Sequence, residues 1–231
     1  MSLTTPGGNN LAQLIDHTKL NPDMNSKDLS LLCQQAKEHH FFSVCVPPFL
    51  VSEAHSLLKD SAVKVCTVIG FPLGYSKTET KALETKLALK DGADEFDMVI
   101  NNIAVKNKDF ESVENDIRSV VEAAKKRTVK VILEISLLTD DEIVKCCEIA
   151  VQAGAHFVKT STGFSSAGAS VAAVALMRKT VGENFGVKAS GGIRNHSQAE
   201  AMVSAGANRL GCSSGIEIIS KTQNSDSSGS Y

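Results

Sequence analysis

The most constraining feature of this chain is a regular alternation between short apolar runs and longer amphipathic segments. The runs are mostly apolar on successive residues and rich in valine and isoleucine, which is typical of strands buried on both faces of a parallel sheet. Eight such runs predict eight strands, at Leu14–Ile15, Ser43–Val46, Val65–Ile69, Phe96–Ile100, Val129–Leu133, Phe157–Val158, Gly186–Val187 and Arg209–Leu210.

Helix signals occupy the segments between these runs. Several pairs are spaced as capping boxes, and one segment carries a helical apolar stripe. The pairs are Ser76 with Glu79, Thr139 with Glu142 and Ser197 with Glu200, and the stripe is Val113, Ile117, Val120, Val121 and Ala124. Helices are therefore predicted to alternate with the strands.

A weak repeat supports this order, because Gly-Ala precedes a predicted strand at Gly92, Gly154 and Gly206. Glycine suits the left-handed residue that ends a helix. Eight βα units in one domain favour an α/β fold of the single-domain (β/α)8 TIM-barrel type over residues 11–221, and an open doubly wound sheet is the alternative. The polar ends, residues 1–10 and 222–231, are expected to be flexible.

Composition excludes several classes of function. A net charge of −2 and a pI near 6.3 give no general attraction to nucleic acid or to an anionic membrane. The N-terminus does not resemble a secretory signal, and no apolar run is long enough to cross a bilayer. Six cysteines without paired spacing favour reduced thiols in the cytoplasm, and the scattered histidines favour neither a metal site nor another cofactor.

Lysines near the strands fall into two groups. Lys64 and Lys130 lie near strand starts, where we expect solvated charges at the bottom of the barrel. Lys159 and Lys188 instead follow the sixth and seventh strands, at the end where barrel enzymes place their active sites. If they are neighbours, each makes the other easier to deprotonate, and a neutral amine can attack a carbonyl to form an imine. A salt bridge to a neighbouring strand is the structural alternative.

Carboxylates accompany these lysines. Asp97 lies inside the apolar fourth strand, where it must be paired or functional, and it could move protons in an iminium mechanism. Asp16, on the first strand, and Glu134, at the end of the fifth, are supporting candidates that orient a lysine or offset its charge.

Glycine and serine follow the last two strands, in Ser190–Arg194 and Leu210–Gly215. Backbone N–H groups in such loops can approach a phosphate closely, and the serine hydroxyls add donors. The residues alone therefore predict an imine-forming enzyme that acts on a phosphorylated carbonyl compound.

Seven segments of the chain carry a resemblance to the deoxyribose-phosphate aldolase family, in the same order and over nearly the whole length between the polar ends. They are Leu14-Ile-Asp-His-Thr18, Val44-Cys-Val-Pro47, Val68-Ile-Gly-Phe-Pro-Leu-Gly74, Asp94-Glu-Phe-Asp-Met-Val-Ile-Asn101, Phe157-Val-Lys-Thr-Ser-Thr-Gly-Phe164, Val187-Lys-Ala-Ser-Gly-Gly-Ile-Arg194 and Leu210-Gly-Cys-Ser-Ser-Gly215.

The resemblance implies a cofactor-independent class I aldolase of deoxyribonucleotide catabolism. Lys159 would form a Schiff base with 2-deoxy-D-ribose 5-phosphate and cleave it reversibly to D-glyceraldehyde 3-phosphate and acetaldehyde. Asp97 would be the proton donor and acceptor, and Lys188 would perturb the pKa of Lys159 and assist the proton transfer. Supporting roles would fall to Asp16, Thr18, Cys45, Glu134, Thr160 and Tyr231, and phosphate binding to Gly163, Gly191, Gly192, Arg194, Gly211, Ser213 and Ser214.

Some relatives place a lysine after the Thr-Gly pair, whereas this chain has Phe164, which removes one cation from the expected phosphate site. Some relatives also end in a tyrosine on a mobile tail, so Tyr231 could fold over the barrel mouth and assist proton transfer.

Other functions remain open at this point. A transaldolase-like lyase would keep Lys159 and the phosphate loops but act on another sugar phosphate, and a non-catalytic sugar-phosphate binding protein would need no neutral lysine. The expected partner is a phosphorylated sugar, with neither nucleic acid nor membrane, and a homodimer or other homo-oligomer fits the sequence.

Overall fold

Eight parallel strands close into a barrel in the computed structural model of the protein, which describes residues 11–220. Each strand pairs with the next, and the first pairs with the eighth. The predicted (β/α)8 barrel is therefore confirmed, and the open sheet is excluded. The strands are β1 (Ile15–Thr18), β2 (Ser43–Val46), β3 (Lys64–Ile69), β4 (Glu95–Val99), β5 (Thr128–Ile132), β6 (Phe157–Lys159), β7 (Gly186–Ser190) and β8 (Arg209–Cys212).

Each of the eight predicted runs overlaps a strand, but the boundaries differ. The short runs in the last third of the chain extend toward their carboxyl ends, so Lys159 closes β6 and Lys188 lies within β7. Leu14 instead belongs to a 3₁₀ turn, Leu11–Leu14, that leads into β1.

Helices connect the strands on the outside of the barrel. Among those of residues 11–220, none is both long and apolar enough to cross a membrane. They are α1 (Ser26–Glu38), α2 (Val51–Leu58), α3 (Thr78–Lys90), α4 (Asn102–Lys106), α5 (Phe110–Ala123), α6 (Asp140–Gln152), α7 (Val171–Val181), α8 (His196–Ser204) and α9 (Gly215–Ile219).

One of the three predicted capping boxes is present, at Thr139 and Glu142 before α6. The prediction at Ser197 was wrong because Asn195 accepts the capping hydrogen bond, and α8 begins directly after it. The prediction at Ser76 was also wrong. Helix α3 begins at Thr78, whose hydroxyl donates to buried Asp116 over 3.0 Å, so a tertiary contact holds this helix start.

The Gly-Ala repeat ends helices as predicted. Gly92, Gly154 and Gly206 have φ values of +105°, +80° and +110°. In each case the N–H of the following alanine bonds back to the last turn, from Ala93 to Ala88 over 3.0 Å for example. This is the Schellman pattern, which directs the chain from the helix into the next strand.

Apolar residues form a large core between the strands and the helices. On α5, the predicted stripe contributes fully buried Val113, Ile117 and Val120 to this core. Each such side chain stabilises the fold by about 1.5–3 kcal/mol. A second, small cluster comprises Leu20, Cys45, Cys66 and Val68, with Phe71 packed against it.

Candidate active site

The interior of the barrel carries charged side chains where an apolar filling is usual. Several of their contacts cross the barrel: Asp16 on β1 lies 3.7 Å from Lys130 on β5, and Glu95 on β4 lies 3.0 Å from Arg209 on β8. These contacts place the side chains inside the barrel. We call the set the barrel cluster, and it consists of Asp16, Glu95, Asp97, Lys130, Lys159, Lys188 and Arg209.

Asp97 is the centre of the barrel cluster. Its Oδ2 accepts hydrogen bonds of 2.8 Å from both Lys159 and Lys188, and its Oδ1 accepts one of 2.9 Å from Lys130. Burial alone would raise the pKa of Asp97, but these three ammonium groups hold it well below its usual range. Asp97 is therefore an ionised acceptor that touches both predicted lysines.

The expected proximity of the two lysines is confirmed. Lys159 and Lys188 are register partners on β6 and β7, and they share the same Asp97 oxygen. Lys188 also donates to Asp16. Burial alone would lower the pKa of Lys188, but the carboxylates of Asp16 and Asp97 raise it. Lys188 is therefore a stable cation beside Lys159.

Lys159 is held by fewer carboxylates than the other two lysines of the cluster. Within 4 Å and among residues 11–220, its amine meets the carboxylate of Asp97 alone. Lys188 meets two carboxylates and Lys130 meets three. Of the three amines, Lys159 therefore has the fewest carboxylate partners.

Lys130 corrects the sequence prediction. We expected a solvated charge at the bottom of the barrel, which holds for exposed Lys64, whereas Lys130 is fully buried. Its Nζ lies 2.6 Å from Glu95 and 2.9 Å from Asp97. The reason is the strand register. Lys130 on β5 is the register partner of Asp97 on β4, so both side chains point into the barrel.

Sequence reasoning missed Glu95 and Arg209 as well as Lys130. Their signal is a period of two, since inward residues alternate with apolar ones in Glu95-Phe-Asp97 and Arg209-Leu-Gly211. Arg209 bridges Glu95 and Asp16, and its guanidinium carbon lies 3.5 Å from the ring centre of Phe42.

The expected supporting residues of β1 and β2 lie close to the cluster. Asp16 accepts from Lys188, from Arg209 over 2.9 Å and from Ser43 over 2.7 Å. Thr18 donates to the backbone oxygen of Asp16 over 2.8 Å, which secures the end of β1.

Cys45 belongs to the apolar wall of the barrel interior, beside Cys66. The Sγ atom of Cys66 lies 3.3 Å from Oδ1 of Asp97, so this wall adjoins the barrel cluster directly. Farther out, the ring of Phe71 meets that of Phe164 edge to face, with centroids 5.3 Å apart. The mouth thus has an apolar side.

The loops after β6 and β7 are joined at the mouth. Thr160 Oγ1 donates to the backbone oxygen of Ser190 and accepts from the backbone N–H of Ser190, both over 3.0 Å. Gly163 and Gly191 have φ values of +88° and +87°, and a Cβ on Gly191 would approach Gly168 Cα to 2.9 Å. The glycines therefore permit a close approach of the two loops.

Glu134 faces Lys159 from the loop after β5. Its Oε2 accepts from the N–H of Thr162 over 3.3 Å and from the hydroxyl of the same residue. Burial raises the pKa of Glu134, although the bonds from Thr162 oppose that rise. Its Oε1 is buried and meets no hydrogen-bond donor among residues 11–220.

The remaining phosphate candidates lie at different depths. Gly192 and Arg194 are exposed on the loop after β7, and Ser213 lines a cavity of about 280 Å³ together with Thr18. Ser214 is half-buried before α9. Gly211 instead lies inside the barrel, where a Cβ would be 2.8 Å from Lys188 Cε. Tyr231 lies outside the described residues.

Metal ligands are present only in an unfavourable setting. Within residues 11–220, Cys45, Cys66 and Asp97 have donor atoms within 4.8 Å of one another, as do Asp16, Cys66 and Glu95. Every carboxylate in these groups already contacts an ammonium or a guanidinium group. A metal cation would meet these positive charges, so the arrangement favours amine chemistry.

Comparison with known proteins identifies the family. Residues 10–221 match the DeoC/LacD family aldolases. The chain is 57% identical over 220 residues to the deoxyribose-phosphate aldolase of Geobacillus sp., across 94% of this chain and 99% of that protein. It is 56% identical to deoxyribose-phosphate aldolase 1 of Oceanobacillus iheyensis, across 92% of this chain and 97% of that one.

A solved structure gives the same result. The tetrameric deoxyribose phosphate aldolase from Aeropyrum pernix superposes with a TM-score of 0.85 at 34% identity, covering 91% of this chain and 89% of that one. The chain therefore belongs to the DeoC/LacD family of aldolases.

Proposed function

We propose that the protein reversibly cleaves 2-deoxy-D-ribose 5-phosphate to D-glyceraldehyde 3-phosphate and acetaldehyde, through a Schiff base on Lys159. The observation that carries this proposal is the shared Asp97 oxygen, which accepts 2.8 Å bonds from Lys159 and Lys188 inside the barrel. The names of the close relatives point to the same substrate.

The first stage is formation of the iminium ion. The neutral amine of Lys159 attacks C1 of the open-chain sugar, and a proton passes to the developing alkoxide to give a carbinolamine. Loss of its hydroxyl as water leaves the iminium ion. Asp97 is the acceptor nearest to the Lys159 amine, and Lys188 is the permanent donor beside it.

The second stage breaks the C2–C3 bond. A base removes the proton of the C3 hydroxyl, the C3–O bond becomes a carbonyl, and the electrons of C2–C3 move into the iminium ion to form an enamine. D-Glyceraldehyde 3-phosphate leaves. Protonation of the enamine carbon and addition of water then release acetaldehyde and restore the amine, so the chemistry needs no redox cofactor.

Phosphate recognition falls to the loops after β6, β7 and β8. The exposed backbone at Gly192 has open space where a side chain would be, and Ser213 lines the same cavity as Thr18. Backbone N–H groups and hydroxyls of this kind suit an anion. Gly163, Gly191, Arg194, Gly211 and Ser214 complete the proposed set, and the absence of a side chain at Gly211 also makes room for Lys188.

The proposal extends to assembly and compartment. A homo-oligomer is proposed because the related Aeropyrum pernix enzyme is described as tetrameric. A cytoplasmic location is proposed because all six cysteines are buried and free of disulfides. Sedimentation of the purified protein measures the first of these.

Reductive trapping tests the reaction. The enzyme is incubated with acetaldehyde and borohydride, and the modified peptide is mapped by mass spectrometry. We expect a two-carbon adduct on Lys159 and loss of activity, while Lys159→Arg gives no adduct because arginine cannot form the imine. Failure to trap acetaldehyde, with trapping of a ketose phosphate instead, would indicate a transaldolase-like lyase. No adduct with either would indicate a binding protein.

A further inference from the structure

Arg209 closes the bottom of the barrel cluster. Its side chain is almost fully buried, and the guanidinium group donates bonds of 2.9 Å to Asp16 and 3.0 Å to Glu95. Phe42 stacks on the guanidinium carbon at 3.5 Å, and the Phe157 ring centre lies 5.3 Å away. The arginine is thus held between two rings and two carboxylates.

The charges of the barrel cluster differ in number. It contains three carboxylates, Asp16, Glu95 and Asp97, and four cations, Lys130, Lys159, Lys188 and Arg209. All seven are buried. With every group ionised, the cluster carries one positive charge in excess, and a buried net charge is unfavourable. Loss of one proton makes the cluster neutral.

Deprotonation of Arg209 cannot remove the excess positive charge, because a guanidinium group does not lose its proton in proteins. Lys130 and Lys188 are held by three and two carboxylates, whereas Lys159 is held by one. We propose that Arg209 is a positioning residue whose permanent charge makes Lys159 the neutral amine of the barrel. Arg209 acts through the cluster, because within residues 11–220 its guanidinium group bonds to Asp16 and Glu95 and not to Lys159.

Other ionisable groups also face the cluster. The Cys45 and Cys66 thiols lie on its apolar side, and Glu134 faces Lys159 from the loop after β5. These groups are the same in each variant below, so they do not change the sign of the effect. The inference rests on the proposed Schiff base at Lys159.

The test removes, in separate variants, the positive and the negative charge of the ion pair between Arg209 and Glu95. The rate of acetaldehyde trapping with cyanoborohydride is measured as a function of pH, since acetaldehyde carries no titrating group. In Arg209→Met a positive neighbour is lost, so Lys159 keeps its proton to higher pH. The acid limb of the pH–rate profile, where the trapping rate rises with pH, then moves to higher pH. In Glu95→Gln a negative neighbour is lost, and the limb moves downward.

The expected size is about one pH unit in each direction. At an effective dielectric constant near 20, one unit charge within the same buried cluster changes a protonation equilibrium by roughly tenfold. The double variant Arg209→Met/Glu95→Gln again has one excess cation and should return the limb toward its wild-type position. Phe42→Leu keeps the charge of Arg209 and should leave the limb in place.

A purely structural role for Arg209 would lower the rate at every pH and leave the limb where it is, which would overturn the proposal. Shifts of both single variants in the same direction would also overturn it. If Arg209→Met does not fold, Glu95→Gln alone decides, because a limb that does not move downward refutes the charge argument. An adduct on a residue other than Lys159 in the wild-type enzyme would instead refute the proposed function.

Discussion

Replacement of Gly211 by alanine is the sharpest test of how the barrel interior is packed. A Cβ built on Gly211 would lie 2.8 Å from Lys188 Cε and 3.0 Å from Ser190 Cβ. Carbon atoms in favourable contact are about 3.5–4.0 Å apart, so these neighbours must move by roughly half an ångström to one ångström. Both neighbours are buried, and Lys188 is held by Asp16 and Asp97.

Two effects of Gly211→Ala are therefore expected. Overpacking costs about 1–3 kcal/mol of the free energy of unfolding. Displacing the Lys188 ammonium by nearly an ångström lowers kcat by about 10²-fold, because proton transfer depends on that geometry. Urea unfolding measures the first effect, and steady-state cleavage of 2-deoxy-D-ribose 5-phosphate measures the second.

A matched substitution separates the two effects. Gly154→Ala adds a methyl group at a helix end, where φ is +80° and the nearest atom, on Val121, is 3.9 Å away. It should destabilise the fold by about 1 kcal/mol through backbone strain while kcat is unchanged.

The same variant distinguishes two roles for Gly211. If Gly211 served the phosphate, its substitution would spare acetaldehyde trapping, which involves no phosphate. We expect trapping to slow together with cleavage. A wild-type kcat in Gly211→Ala would refute the placement of Lys188 in the reaction.

Four further predictions follow from the site. Lys159→Arg should abolish cleavage without changing the midpoint of thermal unfolding, and residual turnover near the wild-type rate would contradict the Schiff base. Lys130→Met should lower the free energy of unfolding by about 3–5 kcal/mol, because buried Glu95 and Asp97 each lose a contacting ammonium group. Lys64→Met at an exposed position should change it by less than about 0.5 kcal/mol. Ser213→Asp should raise KM for the phosphorylated substrate far more than for deoxyribose, since a carboxylate repels phosphate, and Ser56→Asp on α2 should affect neither. Deletion of Tyr231 should slow proton exchange at the acetaldehyde methyl group without changing thermal stability, and an unchanged exchange rate would assign the tail no role.

Much of the fold follows from local patterns in the sequence. Valine-rich runs identify the strands because a parallel sheet covered by helices buries both faces. Gly92, Gly154 and Gly206 identify helix ends because each φ value is positive. Lys159 and Lys188 could be assigned to the catalytic end because each directly follows a predicted apolar run, and the carboxyl ends of all strands lie at one end of the barrel.

Tertiary contacts decided what the sequence could not. The start of α3 depends on a bond from Thr78 to Asp116, which is 38 residues away. Glycine is required at position 168 because a Cβ there would lie 2.2 Å from the backbone oxygen of Gly191. Neither partner can be identified from local propensity.

The error at Lys130 has a more specific cause and shows how the site is built. A lysine near a strand start reads as solvated only if its side chain points outward, and in a closed barrel alternate residues point inward. Once Lys130 is placed inside, Asp97 has an ammonium partner that does not need to react. Lys159 can then lose its proton without leaving Asp97 as an unpaired buried anion. The residue that the sequence assigned to solvent is therefore part of what allows Lys159 to be neutral.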